Sequence, residues 1–189
     1  MLKPRLESAL ELHRQAHPER TPVVAQMLEL LRSPGDPLSR SRLDPGHFTA
    51  SAFVLSPEGS RLLLISHLKL GRWLQPGGHI EPGDADCEAA ARREVAEETG
   101  VRELTPIGSG LLDVDVHEIP ARPKEGAHRH FDVRYAFIAA TEQLVISDEV
   151  RGARWVELGR VGELNAEQSL LRCAERLAGL TLLRSARPR

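Results

Sequence analysis

The chain has little sulfur chemistry to offer and few aromatic rings. Among its 189 residues only Cys87 and Cys173 carry thiols. Neither sits in a C-x-x-C pair or a zinc-like spacing, which excludes a disulfide framework and a thiolate metal centre and predicts two reduced, buried side chains. Aromatics make up 4% of the residues, so a ring sandwich for a nucleobase is not indicated; Trp73, Tyr135 and Trp155 are expected as packing residues. No apolar run approaches the ~20 residues of a membrane span, and charges interrupt the apolar positions of the first residues, unlike a secretory leader. Net charge is lacking too. A formal −2 at pH 7 gives no general attraction to nucleic acid or to anionic lipid. The expectations are no nucleic acid partner, no membrane and a cytoplasmic location.

What is present is an ordinary globular mixture, 41% hydrophobic and 28% charged. The length suits one domain with an appendage. Leu2, Leu6, Ala9, Leu10 and His13 repeat at helical spacing and predict an amphipathic helix over 2–16. A second helix is expected from Thr21 as N-cap, with Pro22 at its first helical position, to about Leu31. The stretch "SPGDPLSRSRLDPG" (33–46) breaks the periodicity and reads as a linker. Residues 1–44 are thus a helical N-terminal extension, and 45–189 the main domain.

That domain opens with two apolar runs, 47–55 and 61–67, around a Pro/Gly turn, a hairpin signal. A helix over 86–99 is closed by Gly100. Alternation predicts strands within 104–119, 130–139 and 151–158. Asn165 can cap a last helix whose apolar face is Leu170, Leu171, Ala174, Leu177 and Ala178. Strands around two separated helices imply an α/β fold with a mixed sheet covered on both faces.

The segment "RREVAEETG" (92–100) places Glu94, Glu97 and Glu98 within an arc of about 100° on one helix face. Such carboxylates repel one another. Cys87, Ala90 and Ala91 lie upstream on the same stripe, and their small size suggests room for a close approach. Hard divalent cations gather acids of this kind, although a solvated, Glu-rich surface helix has the same composition. Arg93 stands at ion-pair spacing from Glu97. Just before the helix, "LQPGGHIEPGD" (74–84) brings Gly77 and Gly78, which permit backbone approaches that a Cβ would block.

Together, "GGHIEPGDADCEAAARREVAEETGV" (77–101) resembles the Nudix box, G-x5-E-x7-R-E-U-x-E-E-x-G-U with U apolar. Gly78, Arg93, Glu94, Val95, Glu97, Glu98, Gly100 and Val101 match it. The chain departs from the pattern at Asp84, which stands where the box has glutamate, and by one extra residue between that position and Arg93. The resemblance implies an α/β/α sandwich and a Mg2+- or Mn2+-dependent hydrolase of a small-molecule diphosphate, such as a nucleotide sugar, ADP-ribose, dinucleoside polyphosphate or NTP. It implies Glu94, Glu97, Glu98 and the Gly78 carbonyl as metal ligands, Asp84 as a further candidate and Arg93 as organiser. The resemblance also implies candidates for a base outside the box; of Glu118, Asp148 and Glu149, the last is favoured because it sits just before a predicted strand.

The densest cationic stretch, "AHRHFDVRY" (127–135), offers His128, His130 and Arg134 as candidates for substrate phosphates, all on one face if the segment is a strand. Two other readings compete. One is an enzyme similar to isopentenyl-diphosphate isomerase, which looks to need a pocket cysteine that neither Cys87 nor Cys173 is well placed to supply. The other is a nucleotide-sensing module without catalysis, which the intact carboxylates oppose. The extension could cover the pocket, contact a partner or build a homodimer, since its apolar stripes must bury against something.

Overall fold

The structure is a computed structural model that describes residues 2–68, 71–123 and 126–185, the side chains of 181–185 excepted. Its helices are α1 (Leu2–Ala16), α2 (Thr21–Arg32), α3 (Cys87–Thr99), α4 (Val161–Leu164) and α5 (Gln168–Ser185). Its strands are β1 (Gly46–Leu55), β2 (Arg61–His67), β3 (Trp73–Leu74), β4 (Gly77–His79), β5 (Leu104–Pro106), β6 (Asp113–Ile119), β7 (His128–Ala139) and β8 (Val150–Glu157). They hydrogen-bond as one eight-stranded sheet in the order β3-β2-β1-β7-β5, with β4 on β1, β6 on β7 and β8 on β2. This is the mixed α/β class expected. Among the described residues no helix is long and apolar enough to cross a membrane.

The chain divides into two compact units, and β1, α3 and β7 each start in the first and end in the second. The first comprises Met1–Ser51, Gly77–Ala91 and Gly108–Tyr135. Here α1 and α2 pack together, with Leu6, Leu10 and His13 of one and Val24, Met27, Leu28, Leu30 and Leu31 of the other buried. Thr21 does not cap α2 by its side chain. A 3-10 turn over Pro18–Arg20 runs directly into the helix, and the Thr21 N–H donates to the Pro18 carbonyl, so Thr21 is already helical. Two antiparallel pairings complete the unit. β4 lies on the start of β1, with His79 opposite Thr49 and Gly78 opposite Ala50. β6 lies on β7, from Asp113 opposite Arg134 to Ile119 opposite His128.

The second unit comprises Ala52–Pro76, Arg92–Ile107 and Ala136–Arg189. Its centre is β2, where Leu62, Leu63, Leu64 and Ile65 are all buried. A strand covered on both faces reads as a continuous apolar run, as this one does. β3 and β8 pair with β2, and β5 pairs with the end of β7. On α5, Leu170, Cys173, Ala174 and Leu177 form the buried stripe. Asn165 does not cap α5 as expected: the helix begins at Gln168, and the Glu167 carbonyl accepts its first bonds from Leu170 and Leu171. Asn165 closes the turn before it, accepting from the Glu167 N–H at 2.9 Å while its amide donates to the Trp73 carbonyl at 3.0 Å.

Two sequence expectations change. The stretch 104–119 is two strands, β5 and β6, because the turn around Gly108 (φ 82°) takes the chain off β7 and returns it at Leu112, whose N–H bonds to Arg134 O. The loop before α3 contains β3 and β4, too short for alternation to reveal.

Candidate active site

Helix α3 starts at a side-chain cap. Asp86 Oδ1 accepts the Ala89 N–H at 2.9 Å, the bond that satisfies an otherwise orphaned donor of the first turn. It ends at Gly100, whose φ of 75° is the left-handed geometry of a helix stop. Cys87, Ala90, Ala91 and Val95 are buried along it. The small residues on the Glu-bearing stripe are therefore core packing and leave no open approach, which corrects the sequence reading of them.

The C-terminal half of α3, in the second unit, carries the acids. Arg93 Nη1 lies 2.8 Å from Glu97 Oε2 and 3.0 Å from Glu94 Oε1. Glu98, one turn beyond Glu94, is 6% exposed, while Glu97 is half exposed. Burial is the main cause that pushes the Glu94 carboxyl up to about 7; Arg93 opposes it, and the charges of Glu97 and Glu149 add to it. Glu149, exposed in the turn before β8, thus acts on the acidic turn of α3. Asp148 is exposed beside it, and Glu118 is exposed on β6 in the first unit, opposite Arg129. Arg93 pairs with both Glu94 and Glu97, and Glu149 adds its charge at Glu94; these carboxylate oxygens are a donor set that fits a hard divalent cation.

Gly78 and Asp84 belong to the first unit. A Cβ on Gly77 would stand 2.5 Å from Ser51 Cβ, so the glycine lets β4 close onto β1. Asp84 Oδ2 accepts the Glu81 N–H at 2.8 Å and the Asp84 N–H bonds back to Glu81 O at 3.0 Å. That closes a turn; the cap of α3 belongs to Asp86.

His128, His130, Asp132 and Arg134 do share a face of β7, and each is tied to neighbours. Arg134 is buried with Asp132 at 2.9 Å, Asp115 at 3.2 Å and Asp113 at 3.9 Å. Asp132 also accepts from Thr49 Oγ1 at 3.1 Å and Ser51 Oγ at 2.7 Å, and Arg20 lies 3.2 Å from Asp113. The histidines gather with His47 and His79. The His47 ring centroid is 4.9 Å from His130 and 5.1 Å from both His79 and His128, and His117 stands edge-on to His130 at 5.6 Å. Burial, then the neighbouring His117 and His47, hold the His130 pKa down to about 2. Sequence reasoning missed His47, His79 and His117, which come from different strands; only the alternation on β7 pointed here.

The remaining candidates are structural. The Arg154 guanidinium lies 4.2 Å from the centre of the Trp73 ring, and Trp155 Nε1 donates to the Glu142 carbonyl at 2.9 Å. Cys87 and Cys173 are buried and outside any disulfide, and burial pushes the Cys87 thiol up to about 12.

A family model of the NUDIX domain matches residues 45–176. A Bacillus subtilis (strain 168) protein provisionally named an 8-oxo-dGTP diphosphatase is 30% identical over 115 residues, 60% of this chain and 70% of its own. Among solved structures, a NUDIX-family hydrolase from Clostridium perfringens is 26% identical with a TM-score of 0.53, covering 71% of this chain and 97% of its own. The E. coli dihydroneopterin triphosphate pyrophosphohydrolase is similar in fold, with a TM-score of 0.55, 19% identity and coverage of 68% and 92%.

Proposed function

We propose, for a chain that belongs to the Nudix family and is a Nudix-type hydrolase, that it cleaves a diphosphate linkage in a nucleoside diphosphate derivative by attack of water, with Mg2+ or Mn2+ held by Glu94, Glu97 and Glu98. The observation that carries this is the acidic turn of α3, where Arg93 binds two carboxylates at once and Glu94 is forced to a proton affinity that a cation would relieve. A divalent ion there supplies neutralisation of diphosphate charge and acidification of bound water. Arg93 orients Glu94 and Glu97. Glu149, close enough to perturb Glu94, is our candidate for accepting the water proton. The Gly78 carbonyl remains a proposed ligand on the resemblance alone. Asp84 is left out, because its carboxylate closes a turn.

Arg134 is also left out of phosphate binding, since aspartates already surround its charge. An isomerase reading is disfavoured because both cysteines are buried and burial pushes the Cys87 thiol up to about 12. Residues 1–44 are proposed as an extension to the domain, which agrees with a family match beginning at residue 45.

The test is a panel of NTPs, nucleotide sugars, dinucleoside polyphosphates and ADP-ribose, with and without Mg2+ or Mn2+. The first compound tried is 8-oxo-dGTP, the one in the name of the Bacillus relative. Metal-dependent product release from at least one member is expected. No turnover of any by folded, metal-supplied protein would end the proposal.

A further inference from the structure

Within the first unit, His47, His79 and His130 stand on β1, β4 and β7, and one ligand atom from each lies within 4.8 Å of the others. We propose that these imidazoles bind one divalent transition-metal ion, zinc foremost, at a site chemically different from the carboxylates of α3. Imidazole nitrogen suits zinc, copper, nickel and iron, whereas Mg2+ prefers oxygen, so the two sites select different ions. At a Zn–N bond of about 2.0–2.1 Å, tetrahedral ligand nitrogens are roughly 3.3 Å apart. From a separation of up to 4.8 Å the three ligand atoms must close by at most about 1.5 Å to reach that spacing.

The surroundings are those of ligating histidines. His47 Nδ1 lies 2.9 Å from the Arg42 carbonyl, which can only accept. The ring therefore carries its proton on Nδ1 and, when neutral, its lone pair on Nε2. Donation of the second ring N–H to a backbone carbonyl is the usual outer-sphere device that sets tautomer and orientation in metal sites. His128 repeats it, with Nδ1 2.9 Å from the Gly126 carbonyl and Nε2 3.2 Å from His130 Nε2, so it steadies the His130 ring. All three ligands sit on hydrogen-bonded strands, with the β4 residue His79 directly opposite Thr49 of β1. Strand-mounted ligands are held more closely than loop ligands. His79 and His130 are only partly buried, which leaves a route for an ion.

The experiment uses the full chain, stripped with a chelator and titrated with Zn2+ in excess Mg2+, which fills oxygen sites and does not compete for imidazoles. Zinc retained after desalting is measured by elemental analysis, and Co2+ serves as a visible-absorption probe. The parent protein is expected to keep one zinc per chain. H79Q and H130Q should each weaken zinc binding by at least about 100-fold, more than loss of an outer-sphere partner costs, while E97Q keeps it. Circular dichroism checks folding, and H47Q replaces either variant that fails to fold. A parent that retains no zinc, or folded histidine variants that bind it as tightly as the parent, would overturn the site and show the cluster to be a packed set of neutral rings.

Discussion

Arg93 and Glu97, one helical turn apart on α3, meet at 2.8 Å, and the same guanidinium nitrogen also reaches Glu94 at 3.0 Å. One cation thus sets the directions of two acids. The arrangement is local to the helix, where two carboxylates share one guanidinium.

Glu98 is the buried acid of the turn. Replacing it with Gln keeps the shape and removes the charge, so metal-dependent hydrolysis should fall by about 100-fold or more. Steady-state kinetics at several Mg2+ concentrations measure this; parental rates would remove Glu98 from the metal set.

Arg93→Lys keeps the charge and loses the planar fork that holds two carboxylates. Metal affinity should fall by about 10–100-fold, as for other orienting partners. Activity should return in part at high Mg2+. A KM and kcat equal to the parent's would show that Arg93 organises nothing.

Burial pushes the Glu94 carboxyl up to about 7 from its ordinary value of 4.5. Between those values the folded state binds more protons than the unfolded one, so metal-free protein loses stability as pH rises through that window. A cation requires the ionised form and binds better over the same rise. Added Mg2+ should therefore raise Tm at about pH 8 and do little at about pH 5. Equal gains at both would contradict the assignment.

Arg134→Met would take the guanidinium from the buried Asp132, while Asp113 keeps Arg20. A stability loss of about 3–5 kcal/mol is expected in urea denaturation, the usual cost of breaking a buried ion pair from one side. Arg134→Lys should recover part of it.

Gly77→Ala would put a methyl group 2.5 Å from Ser51 Cβ, where both atoms belong to paired strands. A loss of more than about 2 kcal/mol is expected from thermal or urea unfolding. A neutral result would mean that β4 can shift along β1 without penalty.

Much of this protein is written in short-range spacing. The acidic turn, its Arg93 partner, the stop at Gly100 and the buried run of β2 all depend on residues within about a turn or a strand of one another, and each follows from helical or extended periodicity. What required the tertiary structure is whatever depends on strand register. Nothing near His47 or His79 in the chain announces that β1, β4 and β7 will set them beside His130, and nothing near Arg134 announces Asp113 and Asp115 on β6. Likewise, the turn-closing role of Asp84 and the burial of Ala90 and Ala91 come from neighbours supplied by the fold. Local spacing determines which side chains share a face; only the pairing of distant segments decides what that face meets, because that choice depends on packing summed over the whole chain.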